Sequence, residues 1–139
     1  MAQGQSVRQL NKPANTVWQV LADHRGMAEW GPGMSVEMER DGAPVAAGVG
    51  AIRVISAPLV RIREEITTFE PGRRLAYRAL SGIPLPGWTG EVALAETAGR
   101  TTIRWSLSSS ARLPGTGLIL DLTARILLSA LVKAVNRAI

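Results

Sequence analysis

The chain of 139 residues contains no cysteine, and that one absence removes disulfide frameworks, thiolate nucleophiles and the cysteine-rich zinc sites together. Histidine occurs once, as His24, so a metal would have only scattered carboxylates for company, and neither a metal site nor a cofactor is expected. Long uninterrupted apolar runs are missing too. The most apolar stretch, toward the C-terminus, is broken by Asp121, Arg125 and Lys133, which excludes a simple transmembrane span. The opening MAQGQSVRQLNKP has no apolar core of the signal-peptide kind, so a cytoplasmic protein is expected. Aromatics are scarce, at four Trp, one Tyr and one Phe, and none interleaves with a basic run of the sort that stacks bases. The net charge of +5 rests mostly on arginines scattered singly, Arg73-Arg74 being the adjacent pair. That distribution predicts a solvated basic surface rather than a nucleic-acid footprint.

What is present is enough for one domain, spanning 1–139, with a core that needs no cross-links. A short strand is expected around Ser6 to Leu10. Asn11 to Ala22 (NKPANTVWQVLA) reads as a helix, with Pro13 in its first turn and Val17, Val20 and Leu21 as an apolar stripe. DHRGMAEWGPG then predicts a second short helix or turn and a loop. From Met34 the period becomes two, giving strands from Met34, at Gly50 to Ser56, from Val60, and over RRLAYRAL, Trp88 to Ala95 and Thr101 to Ser109. Ala57-Pro58-Leu59 and Glu70-Pro71-Gly72 are the turns of two hairpins. From Gly117 to Ala138 a single helix is predicted, with Leu120, Leu127, Leu128, Leu131 and Val135 on one apolar face that Leu118, Leu122 and Ile126 widen. A face so broad needs a curved sheet to cover it.

One residue breaks the strand pattern in VRIREEITTF. Val60, Ile62, Ile66 and Thr68 share one face, Arg61, Arg63, Glu65 and Thr67 the other, and alternation puts Glu64 with the isoleucines. With the preceding turn centred on Pro58 and Leu59, counting outward pairs Ile55 with Ile62 and Arg53 with Glu64, so the acid acquires a basic partner on the same face. Glu65 is expected to be wet and Glu64 enclosed. An inward ion pair either closes a wall or orients a ligand, and both readings stay open.

The order of elements, together with PANTVWQVLAD followed by Trp30-Gly31, the Val49-Gly50 and Arg53 of VGAIR, Arg63-Glu64, FEPGRRLAY and TIRWS, resembles the START-like superfamily. This is the helix-grip superfamily of polyketide cyclases and dehydrases, Bet v 1-type proteins and plant hormone receptors. The resemblance implies an α+β fold: a curved antiparallel sheet of about six or seven strands around a long C-terminal helix, with two short helices after the first strand. It also implies a cavity between sheet and helix for a lipid, sterol, polyketide or similar apolar ligand.

The residues expected around that ligand are Arg53, Ile55, Ile62, Glu64, Tyr77, Leu85, Trp88, Trp105, Leu122, Arg125 and Ile126. Tyr77 shares a face with Leu75 and Ala79, and Leu85 lies in the apolar loop SGIPLPG before Trp88. Trp105 is inward by alternation, whereas Trp18 and Trp30 read as structural. Arg125 either pairs with Asp121 one turn away or reaches the cavity. His24 is expected at a helix end or on the surface. The function expected is a soluble binding protein for such a ligand, because the sequence shows a container and no clear catalytic constellation. The alternatives are a cyclase, aromatase or dehydratase in which Glu64 and Tyr77 do the chemistry, and a peripheral membrane or protein-partner module. The assembly is expected to be a monomer or a homodimer.

Overall fold

The structure is a computed structural model, which describes residues 2–31 and 33–137. The order is β1 (Ala2–Leu10), α1 (Ala14–Leu21), α2 (Met27–Trp30), β2 (Ser35–Arg40), β3 (Ile52–Ala57), β4 (Val60–Glu70), β5 (Arg74–Ser81), β6 (Thr89–Thr97), β7 (Arg100–Ser109) and α3 (Thr116–Arg137). Seven antiparallel strands form one open sheet in the order β1-β7-β6-β5-β4-β3-β2, so consecutive hairpins from β2 to β7 are closed by β1 returning to the far edge. The helix-grip architecture is the one the sequence pattern implies. β1 is longer than expected because Ala2 to Gln5 pair with Ser109 to Ser106.

Alternation gives the sheet its buried face. Leu75 and Tyr77 of β5, Val92 and Leu94 of β6, and Ile103, Trp105 and Leu107 of β7 all point into the core, each contributing about 1.5–3 kcal/mol through burial. One break in β4 corrects the sequence reading. Ile66 faces Tyr77 and Thr68 faces Ala76, so Thr67 is an extra residue in the ladder, and beyond it the faces exchange. Phe69, not Thr68, therefore returns inward, opposite Leu75 and edge-on to Trp18 at 5.1 Å.

α3 packs mainly along β1 and less along β7. The contact is close enough to require Gly4, because a Cβ there would collide with the α3 backbone at Leu120 and Asp121. Leu120, Ala124, Leu128, Leu131 and Val135 form its buried stripe. Leu118, Leu122 and Ile126, expected to widen that stripe, are instead exposed, at 64, 45 and 57%. Because the helix lies on one end of the sheet, only part of its apolar circumference is covered.

Candidate functional site

The β3–β4 hairpin places the inward charges. Its two-residue turn at Pro58-Leu59 fixes the register in which Arg53 faces Glu64 and Ile55 faces Ile62. Arg53 Nε donates to Glu64 Oε1 at 2.8 Å, and the two residues are 3% and 5% exposed. An acid and a base thus sit among apolar neighbours, tolerable because they are paired.

Three more side chains complete the cluster. The Arg53 guanidinium lies over the Tyr77 ring at 4.9 Å from its centroid. The Tyr77 hydroxyl accepts the Trp105 indole N–H at 3.2 Å. Gly90 faces Tyr77 across the β5–β6 ladder, and the ring occupies the space where a Cβ would stand. From the other side, His24 Nδ1 lies 3.3 Å from Arg53 Nη1, and Nε2 lies 2.9 Å from the Ala47 carbonyl oxygen. Arginine only donates and a carbonyl only accepts, so the imidazole is neutral with its proton on Nε2.

Electrostatics follow from that enclosure. Burial, reinforced by the Arg53 charge, pushes the His24 pKa down to about 4. Burial raises the Tyr77 phenol above its ordinary range, with the Glu64 charge adding to the effect. In the unfolded chain His24 takes up its proton near pH 6.5, whereas in the folded protein it resists until about 4. The unfolded state therefore binds more protons in that window, and stability falls as pH drops through it. Chemical denaturation at pH 7 and pH 4.5 should show a His24-dependent loss of about 2 kcal/mol, absent in H24Q. An equal acid sensitivity in both proteins would contradict the assignment.

His24 is the site residue that sequence reasoning misses. It is expected at a helix end or on the surface, yet it is 4% exposed. The turn carrying it has no periodicity to indicate facing, and its partners are distant in sequence. It forms the floor of a recess of about 360 Å³ bounded by Asp23, Arg25, Met38, Asp41 and Ala46.

The other expected residues divide. Ile55, Trp88 and Trp105 are buried, and Ile62 is half-buried opposite Ile55. Leu85 packs partly against the core with Ile83. Leu122, Arg125 and Ile126 do not join them; all three are exposed on the outer side of α3. The Asp121–Arg125 pair does not form among the described residues, because Asp121 Oδ1 accepts the Gln5 backbone N–H at the free edge of β1. Glu65 is not simply wet: Arg40 and Arg78 hold it at 2.9 and 2.7 Å, leaving its side chain 18% exposed.

A larger depression, about 720 Å³, touches the cluster only at Tyr77 and Gly90 and is lined otherwise mainly by Gln3, Gln5, Arg78, Glu91, Ser106 and Ser108. These side chains alternate with the buried ones and so belong to the polar face of the sheet. The enclosed, mutually oriented charges make the Arg53 cluster the better candidate despite the smaller recess beside it. Among the described residues no group of three His, Asp or Glu side chains could hold a metal, and no helix is long and apolar enough to cross a membrane.

Comparison with known proteins agrees with the fold. No curated protein matches the chain. Among solved structures it is similar to DynU16, a protein of the dynemicin biosynthetic locus, at 20% identity and a TM-score of 0.77 over 98% of this chain and 48% of that one. The chain thus spans about half the length of DynU16. It is similar to a START superfamily protein from Mycobacterium smegmatis at 12% identity and a TM-score of 0.77, covering 99% of this chain and 97% of that one. Ara h 8.0201 matches at 14% identity and a TM-score of 0.75, with 97% of both chains covered. At such identities these likenesses concern the fold. The family model described as "Polyketide cyclase / dehydrase and lipid transport" matches residues 1–139, and the chain belongs to that family.

Proposed function

We propose that this protein binds an apolar or amphipathic small molecule between the sheet and α3, with the Arg53–Glu64 pair, Tyr77 and His24 as the polar end of the site. The observation that carries the reading is the enclosed ion pair on the core face of the sheet. Buried charge is costly and is seldom a gain over apolar packing, so its presence there favours a task beyond stability. Ile55, Ile62, Leu85, Trp88 and Trp105 supply apolar surface around it, and the family's lipid-transport members supply the analogy. Arg53 and Tyr77 would orient a ligand oxygen, because a guanidinium and a protonated phenol are both donors.

A second reading, a cyclase or dehydratase, draws on the family description and on the biosynthetic locus of DynU16. It would use Glu64 as the proton-transfer group, with Tyr77 and Arg53 polarising a substrate carbonyl.

Native mass spectrometry of freshly purified protein, with titration of the uncharged probe N-phenyl-1-naphthylamine, tests the binding reading. A co-purified apolar molecule or saturable one-to-one probe binding is expected. An empty protein that ignores the probe would refute it. Turnover of a polyketide-like substrate that disappears in E64Q while probe binding persists would replace it with the enzyme.

A further inference from the structure

Arg125, Lys133 and Arg137 recur at multiples of four along α3, which sets them in one row on the helix surface. All three are exposed, and among the described residues no acidic side chain pairs with any of them. Lys133 and Arg137 are like charges one turn apart, an arrangement that weakens a helix rather than supporting it. The three cations border a recess of about 450 Å³ whose apolar lining comes from Ile126, Ala130 and Trp30 of α2.

Trp30 forms the wall between this recess and the core. Its Nε1–H is buried and has no acceptor, the single such side-chain atom among the described residues. A buried unmet donor is a cost that native structures usually avoid. The ring is held against Trp105, edge-on at 6.4 Å, and it also borders a neighbouring recess of about 430 Å³. The indole therefore stands as the partition at the α2–α3 seam.

We propose that this seam is a separate binding site for an amphipathic anion, a carboxylate or phosphate on a short apolar body. The cationic row takes the charge, and Ile126, Ala130 and the Trp30 ring take the body. The volume is that of a small-molecule site. A second copy of the chain fits less well, since it would set the same cationic row against itself. The site uses none of the Arg53 cluster, so either site can exist without the other.

The test uses octyl phosphate, with octanol as the uncharged control, on the whole protein followed by ¹H–¹⁵N correlation of the tryptophan indole groups. The Trp30 resonance is the one lost in W30F. Octyl phosphate should shift it, and in K133Q/R137Q, which changes only exposed side chains, affinity should fall about tenfold. Octanol should bind both proteins alike. Equal octyl phosphate affinity in the two proteins, or binding that leaves the Trp30 resonance still, would overturn the proposal. Inorganic phosphate acting as well as octyl phosphate would reduce the seam to a simple anion site and overturn it as well. So would flotation with phosphatidylserine vesicles in the absence of any octyl phosphate response, which would assign the row to a membrane surface.

Discussion

Glu64→Gln is expected to destabilise the protein by about 3 kcal/mol, the lower end of what breaking a buried ion pair costs. The cause is not the lost attraction alone. Arg53 stays 3% exposed and charged, with the neutral His24 and the Tyr77 ring beside it, and among the described residues no other anion pairs with it. Glutamine keeps one acceptor oxygen for Arg53 Nε, which is why the loss falls short of the full penalty. In urea the transition midpoint should move markedly lower without a change in slope. The control is R53M/E64L, which removes both charges and leaves apolar volume; it should recover most of the lost stability, because desolvation offsets much of the pair's attraction. Glu65→Gln, one residue away, should shift the midpoint far less, since its arginine partners remain hydrated. A midpoint for E64Q that matched E65Q would mean that the pair is hydrated in solution and would remove the basis for the binding site.

That contrast between adjacent glutamates is legible in the amino-acid sequence. Alternation assigns Glu64 inward, and a short turn fixes its distance from Arg53, so a local rule is enough. The same rule fails at Thr68, because nothing in the ITTF sequence marks Thr67 as the extra residue that exchanges the faces. His24 escapes for a different reason. Its burial comes from the segment around Ala47 and from β3 closing over a turn, a tertiary arrangement that no local period encodes. On α3 the apolar pattern reads correctly as helix, yet the pattern does not say how much of the helix the sheet covers. Leu122 and Ile126 are expected in the cavity because they are apolar, whereas the close approach allowed by Gly4 seats the helix on β1 and turns them out. Local chemistry thus announces the inward pair and the fold, and global placement decides which apolar residues remain available to a ligand.

Gly90→Ala should have an effect of similar size, through geometry alone. The methyl group would occupy the space of the Tyr77 phenol end, and that ring cannot swing aside cheaply. Its hydroxyl is engaged by Trp105, the Arg53 guanidinium lies on its face, and it is 3% exposed. Overpacking of a fixed core costs about 1–3 kcal/mol, and three-sided restraint puts this case at the upper end. Displacing the ring would also uncover Arg53, so N-phenyl-1-naphthylamine binding should weaken together with stability. The assignment is separable from a general backbone effect of adding a Cβ to a strand glycine, which on its own is mildly favourable. In a Tyr77→Ala background the space is empty, and Gly90→Ala should then be close to neutral, giving a coupling energy of about 2 kcal/mol between the two positions. Equal penalties in both backgrounds would show that the strand, not the ring, resists the methyl group, and would release Tyr77 from its place in the cluster.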